Sequence, residues 1–482
     1  MNNSALKKLA LTASLLSLLC ACKTSSEDRS HLLDVETPNT YSSPTPDGVL
    51  SEQGWLADFD DARLQELVAE AQQNNPNLRA TAARMRSVAA SARATAAGLF
   101  PTASGSGGAN RNKRSGAAGF RLTNPVNDTF TLNASIAWEL DLWGKIQNRT
   151  RAATADFEAA AADFEAARLS LAANTVGAWF NAVEAEQQVR LSQQTLKSFQ
   201  TNLTVIKQGF DRGVNPALDV RLTRANVANA RASLHQREQQ RDAAIRTLEA
   251  LLGKYPAKRI EASPDLPRIQ REIPVGLPSE LLNRRPDILA AERRLAAADE
   301  RFRAARKDML PTISLSANGG TLSSELKDIL DPDSNVWGFA ANLAAPIFQG
   351  GRLRAIAKSN QANVEAALAN YTQTALNAFR EVETALAAGT FLREQEQALR
   401  IAAQESSEAE QLAWSEYQRG LVDIITVLDS QRRSFNAHSA LIQVSNQRLQ
   451  NRLNLHLALA GDFESTRVEA SSDKQPDDQP ES

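Results

Sequence analysis

Cysteine is almost absent from this chain. Its 482 residues contain only Cys20 and Cys22, both at the extreme N-terminus, so the body can hold neither an intrachain disulfide nor a cysteine-built zinc site. Histidine is as scarce, and His31, His235, His438 and His456 are scattered, which argues against a histidine metal centre. Met1, Met85 and Met309 are the only methionines and form no cluster of soft ligands that would suggest copper handling. Neither charge sign dominates: 54 basic residues meet 56 acidic ones, for a net charge of -2. That balance gives no basis for nucleic acid as the main partner. With 22 glycines and 18 prolines, the body is neither collagenous nor disordered. The sequence also lacks a Walker motif, a GxSxG, an HExxH, and any carboxylate pair with a reason to face a cleft, so it reads as no enzyme and needs no soluble cofactor.

What is present begins with an export signal. Lys7 and Lys8 precede an apolar run from Leu9 to Ala21, too short to cross a bilayer as a helix but suited to a signal peptide. The run ends in Leu19-Cys20-Ala21-Cys22, which resembles a bacterial lipobox. By that resemblance residues 1–21 are removed, and Cys22 carries a diacylglyceryl group and an N-acyl chain. Residues 22–54 then form a tether rich in Ser, Thr, Pro and Asp. Lys23, rather than an aspartate, follows the lipidated cysteine and resembles outer-membrane sorting.

Beyond the tether the chain is written twice. Pro76 and Pro286 open similar helical stretches and Pro101 and Pro311 close them, each pair 210 residues apart. GFDRGVNPALDV (209–220) matches EYQRGLVDIITVL (416–428), with Gly213 and Gly420 offset by 207. The copies span 55–260 and 279–461, joined by a proline-rich linker at 261–278 and followed by an acidic tail at 462–482 expected to be disordered. The segments 144–210 and 351–419 hold no proline and are rich in strong helix formers. Each is expected to form a helix of roughly 100 Å, with shorter return helices at 217–252 and 424–460. Alanines at 152, 155, 159, 162, 166 and 173 form a stripe suited to close side-by-side helix packing. Taken alone, such helices also suit a soluble antiparallel coiled coil.

Each copy places two strands between its helices, expected at 101–108 and 129–140 and at 312–320 and 336–345. In TFTLNASIAWEL, Phe130, Leu132, Ala134, Ile136, Trp138 and Leu140 share one face and polar residues the other, the alternation and length of a tilted membrane strand. Trp138, Trp143, Trp337 and Phe348 fall near strand ends as candidate interfacial aromatics. Stretches 109–128 and 319–335 are expected to be outer loops. A four-stranded sheet cannot stand in hydrocarbon with its edges open. Three chains would supply twelve strands with room for a channel, whereas a dimer's eight would be nearly filled by side chains. Two hairpins in a soluble sheet remain the bland alternative.

The lipobox, the linker-helix motif LLNRRPDILAAERRLAAA (281–298), the turns ELDLWGK (139–145) and APIFQGGRLR (345–354), and YQRGLVDIITVLDSQRRSF (417–435) together resemble the TolC-like outer membrane factors, in the lipoprotein branch that serves tripartite efflux pumps. The resemblance implies a mixed fold: a homotrimer with a twelve-stranded outer-membrane β-barrel, four strands per chain, continuous with a long periplasmic α-helical barrel. An equatorial ring would be built from 55–80, 190–200, the linker and the C-terminal segment. Implied partners are outer membrane lipid, a periplasmic adaptor and an inner-membrane RND-type pump that supplies the energy. An exit duct for type I protein secretion and a periplasmic coiled-coil scaffold or adaptor remain alternatives.

By the same resemblance, the gate lies at the hairpin tips. Arg212, Gly213, Arg419 and Gly420 mark the turns and the adaptor contact. Asp429 matches the family's constricting aspartate, with Ile425 a turn before it and Asp423 a further acidic candidate. Asp219 lies three residues short of the position the repeat offset would pair with Asp429, a loose correspondence. Three carboxylates about one axis are expected to raise each other's pKa and attract cations. Arg432 is expected to bond to a neighbouring helix, and Tyr417 to donate a hydrogen bond in the same belt.

Overall fold

The computed structural model describes residues 32, 40–43, 55–59, 61–113, 126–269 and 278–460. Cys22, most of the tether, residues 270–277 of the linker and the acidic tail lie outside the described residues. Every element named below belongs to a single unit of chain that begins at Glu36.

Helix starts follow capping chemistry. Helix α1 (Ala62–Asn74) is capped by the Asp61 carboxylate, which accepts from Arg63 N at 3.0 Å. Helix α2 (Pro76–Ala96) opens on a proline, with the Asn75 side chain accepting from the amides of Asn77 and Leu78, so the first-turn donors are satisfied. Helix α3 (Lys145–Asp211) runs unbroken for 67 residues and returns as α4 (Ala217–Leu251) of 35 residues. After the short α5 (Pro278–Arg284) and α6 (Pro286–Lys307), the same lengths recur in α7 (Arg352–Gln418, 67 residues) and α8 (Ile424–Ala458, 35 residues). At 1.5 Å per residue the long helices extend about 100 Å each. Small side chains set their spacing: Ala155 packs directly on Ala296 and Ala297 of α6.

Between α2 and α3, and between α6 and α7, lie strands β1 (Thr102–Lys113), β2 (Val126–Leu140), β3 (Thr312–Ser323) and β4 (Asn335–Ala344). They form one antiparallel sheet in chain order, so β1 and β4 are its edges. The register carries a single apolar row across all four strands. Ala103 faces Ile136, Ile136 faces Ala317, and Ala317 faces Phe339. One row nearer the helices, Trp138 faces Leu315 and Leu315 faces Ala341. Hydroxyl and amide side chains fill the opposite face, as in the Ser104–Ser135 pair at 2.9 Å.

The strands outrun the expected spans. Residues 109–113 and 126–128, expected in a loop, continue the ladder, and so do 321–323 and Asn335. Backbone pairing requires no apolar side chain, so the ladder extends past the point where the greasy alternation ends. Arg111 and Asp128, opposite one another there, approach to 3.5 Å.

The largest core lies halfway along α3. Trp55 and Phe59 of a short 3-10 turn, with Leu64, Leu67 and Val68 of α1, pack on Trp179 and Phe180 of α3. Leu248 and Leu252 from α4, and Leu449 and Leu453 from α8, close this cluster. The expected equatorial participants at 190–200 are not its members. Its α3 share is Leu171–Val183, where bulky residues replace the alanine stripe and give the N-terminal turn an interior to enter.

Polar groups in this belt are closely partnered. The Arg285 guanidinium of the RRPD motif bonds Asp287, Glu381 at 2.8 Å, and the carbonyl of Ala458 at 3.1 Å. His456 Nε2 lies 2.9 Å from the Asp58 carboxylate, which Arg452 also reaches at 3.2 Å. Burial alone would raise Asp58, but its bond to His456 and the charge of Arg452 outweigh that and hold it low. Burial pushes His456 below the ordinary imidazole range, against the pull of Asp58.

Candidate functional site: the hairpin tips

Both tips reverse by the same device. Helix α3 ends at Asp211, Arg212 keeps helical dihedrals, and Gly213 turns left-handed at φ +79°. The amides of Gly213 and Val214 then bond back to Phe210 and Gly209 at 2.8 Å each. In the second tip Arg419 and Gly420 (φ +77°) repeat this, with Leu421 N bonding Glu416 O at 3.0 Å. A left-handed residue is what this cap requires, and glycine adopts it without strain. Arg212 and Arg419 are exposed beside the turns. Large apolar side chains also face outward here, among them Val214, Leu218, Leu421 and Ile425.

Beneath the turns Ile206, Val220, Ala413, Ile424 and Val427 form a small core joining the two hairpins. The ionisable groups sit around it. Asp423, expected as a gate acid, is the N-cap of α8; its carboxylate accepts from Thr426 N at 2.9 Å and Thr426 Oγ1 at 2.8 Å. Those bonds, both to Oδ1, hold its pKa down. Asp429 accepts from Arg432 at 2.5 Å and from Arg433 at 2.6 Å, both on its own helix. Arg432 bonds Asp429 within α8, because three- and four-residue spacings put all three groups on one face. The two guanidinium groups hold Asp429 below its usual range within the chain; the expected upward shift belongs to three carboxylates about one axis, which a single chain does not bring together.

Tyr417 stacks on Trp414 at 5.8 Å between ring centroids. Its hydroxyl is buried beside Asp219 without reaching well-formed hydrogen-bond geometry. Asp219 is the acid whose pKa rises. Burial raises it first and the Asp423 charge second, while Tyr417 opposes them. The sequence reading had only a loose place for Asp219 and none for Arg433, although the i+4 spacing of Arg433 from Asp429 was a usable signal.

At the other end of the long helices, the four aromatics have different surroundings. Trp138 Nε1 donates to Leu99 O at 3.0 Å and Trp143 Nε1 to Pro311 O at 2.6 Å, so these indoles tie down carbonyls where helices pass into strands. Trp337 and Phe348 are 85% and 88% exposed. Among the described residues no cluster could hold a metal ion, and no helix is long and apolar enough to cross a membrane, which says nothing of a β-barrel.

A sheet with one apolar face and two open edges, carried on helices too long for a compact domain, defines a membrane-embedded channel subunit. The chain belongs to the outer membrane efflux protein family, which it matches over residues 67–254 and 277–461. It is 35% identical over 416 residues to outer membrane protein OprJ of Pseudomonas aeruginosa, covering 86% of this chain and 87% of that one. It is 32% identical over 431 residues to the probable efflux pump outer membrane protein TtgC of Pseudomonas putida, covering 87% of each. The solved structure of the outer-membrane channel OprN superposes with a TM-score of 0.82 at 30% identity, covering 89% of this chain and 98% of that one. The protein is thus an outer membrane channel of a tripartite efflux system, with a long periplasmic helical extension.

Proposed function

We propose that three copies close edge to edge, β4 of one chain pairing with β1 of the next, into a twelve-stranded barrel above a helical tunnel. The observation that carries this is the pair of open edges on a sheet whose apolar face needs lipid. In hydrocarbon no water satisfies those backbone groups, so the edges must meet those of other copies. The recurrence of 67- and 35-residue helices in both halves supports descent from a doubled unit and gives each chain two hairpins for the tunnel wall. Cys22 carries the lipid anchor in this reading.

The tips form the periplasmic gate and the adaptor contact. Val214, Leu218, Leu421 and Ile425 offer an apolar rim beside Arg212, Gly213, Arg419 and Gly420, where an adaptor can dock and pull the hairpins apart. An inner-membrane RND-type pump supplies the energy, and the tunnel conducts passively. Tyr417, Asp219 and the Asp429–Arg432–Arg433 group are the contacts that opening disturbs. Small-molecule cargo is favoured over protein secretion by the lipobox together with the RRPD linker helix.

Removing the Asp429 carboxylate frees two guanidinium groups per chain. In planar bilayers Asp429→Ala is therefore expected to shift the reversal potential toward anions and to raise the open fraction. An unchanged reversal potential would remove Asp429 from the conducting path.

A further inference from the structure

Helix α2 carries Arg79, Arg84, Arg86 and Arg93 and no acid between Pro76 and Ala96. All four are exposed, and none joins an ion pair among the described residues. Its counterpart in the second repeat, α6, instead pairs Arg293, Arg294, Arg301 and Arg303 with acids of its own or of α3. The positive charge of α2 is left for a partner outside the chain.

Hydrogen bonding shows which side of the helices this charge occupies. Glu139 lies on the polar face of β2, opposite the row that holds Trp138, and Lys145 of α3 reaches it at 2.6 Å. At about 100° per residue, Arg149 and Asp156 share the Lys145 side of α3. They line one hollow with Ser91 and Thr95 of α2, so that hollow continues the polar face of the sheet. Arg84, seven residues before Ser91, stands on its side of α2, whereas Arg86 and Arg93 stand on the opposite side. On α3 the side turned away from Lys145 carries Arg151. The repeat offset of 207 places Lys358 of α7 where Arg151 stands, and Arg352 where Lys145 stands. Both helices start from a left-handed glycine, Gly144 and Gly351, so their faces correspond. Arg354, one turn before Lys358, joins the outward group.

The outward cations are confined to one level. Arg93 is in the last turn of α2, Arg354 in the first turn of α7, and Arg151 and Lys358 in the second turns of α3 and α7. All lie within about 10 Å of the junction with the sheet. Arg151, Arg354 and Lys358 are also exposed and outside any ion pair among the described residues. Seven residues after Arg151 and Lys358, the same face carries Glu158 and Glu365, so the charge changes sign about 10 Å further from the sheet. On the other side of the cations, at the sheet end, Phe100, Leu142, Trp143 and Phe348 are exposed. Apolar rings followed by cations match the order of acyl chains and phosphates in a leaflet.

We propose that Arg93, Arg151, Arg354 and Lys358 form a girdle that binds the phosphates of anionic phospholipids in the periplasm-facing leaflet of the outer membrane. The proposal rests on the barrel reading, which turns the apolar sheet face to lipid and the polar face to the channel. The girdle fixes the depth of the barrel by charge, where the aromatics fix it by burial.

The test reconstitutes the full-length protein in phosphatidylcholine vesicles holding a trace of spin-labelled phosphatidylglycerol or spin-labelled phosphatidylcholine. Electron spin resonance then measures how much of each label is immobilised against the protein. Phosphatidylglycerol is expected to associate about fivefold more strongly, the factor that one Lys or Arg at a membrane surface supplies. Sodium chloride at about 1 M, which shortens the Debye length to about 3 Å, should remove the preference. Combining Arg93→Gln, Arg151→Gln, Arg354→Gln and Lys358→Gln should bring the two labels to parity. The immobilised phosphatidylcholine should stay as in wild type, which shows that the variant still inserts. Arg84→Gln with Arg352→Gln, on the channel side, should keep the full preference. Equal association of the two labels with wild type would overturn the girdle and leave the barrel; a neighbouring copy covering the cations gives this result. A preference that survives the four substitutions, or that the channel-side pair abolishes, would also overturn it. Neither label immobilised by wild type would remove the barrel reading and the girdle together.

Discussion

Arg285 in the belt and Arg432 at the tip are both arginines bonded to acids, yet their settings differ throughout. The Arg285 side chain is 10% exposed and is held by Asp287, Glu381 and a helix-end carbonyl. Arg432 and its neighbour Arg433 reach a single carboxylate from solvent. The belt also buries Glu249, whose carboxylate accepts from the backbone amides of Lys258, Arg259 and Ile260. At the tips, by contrast, Tyr417 lacks a well-formed partner and Asp219 sits near the charge of Asp423. A region with its polar groups closed on one another resists rearrangement, while one with loose pairs can be rearranged cheaply. On the proposed gating, the belt serves as the fixed collar and the tips as the part that moves.

The largest expected effect that separates these regions comes from the collar. Arg285→Ala removes the bonds to Asp287 and Glu381, whose side chains are 42% and 46% exposed, and the donor to the Ala458 carbonyl; it should destabilise the protein by about 1–3 kcal/mol, the usual cost of a lost hydrogen bond to a charged group. Denaturant unfolding in detergent measures it, and a loss comparable to that of an exposed pair would equate the two regions.

Acidification should act on the two regions with opposite sign. Burial depresses His456 below 6.5, so the unfolded chain takes up a proton that the folded chain resists, and collar stability falls as pH drops below 6.5. Asp58 and Glu249 are depressed below 3.8 and 4.5. Their stabilisation is complete above those values and is lost as pH falls further, through their folded values. Asp219 is raised above 3.8, so its ionised form costs stability at neutral pH. That cost disappears as pH falls through its folded pKa toward 3.8. Asp219→Asn should therefore slow proteolysis at the tips at pH 7 and make no difference near pH 3.8. A mutant that is cleaved faster at neutral pH would reverse the sign assigned to this carboxyl.

The smallest expected effect is that of Tyr417→Phe. Its hydroxyl makes no well-formed bond, so unfolding should change by less than about 1 kcal/mol. The Asp219 carboxyl should rise further once the opposing phenol is gone, moving the pH dependence of tip cleavage upward. An unchanged midpoint would show that the two groups do not interact.

Much of the fold was legible because helices and strands are written in local periodicities. The uninterrupted helix formers between Gly144 and Phe210 anticipate α3 within a residue at each end. The Phe130–Leu140 alternation anticipates the apolar face of β2. The strand tips at 109–113 and 126–128 were missed because their ladder depends on cross-strand pairing and not on side-chain pattern. The stretch of α3 that packs on Trp55 and Phe59, Leu171–Val183, went unread for a related reason. Which stretch of a uniform helix meets Trp55 and Phe59 depends on a contact more than a hundred residues away in sequence. At the tips the glycine turns are local signals, and so is the Asp423 cap, although it went unread; the raised Asp219 was not legible, because Tyr417 and Asp423 come from the other hairpin.

Lipid-facing alternation, glycine-turned hairpins and proline-free spans are properties of neighbours in the chain, so the order of residues settles them before any packing occurs. The Glu381 and Ala458 partners of Arg285, and the setting of Asp219 beside Tyr417 and Asp423, depend on side chains that meet only when distant helices pack together. Charge, burial and hydrogen bonding act through space, and through-space neighbours exist only in the folded chain.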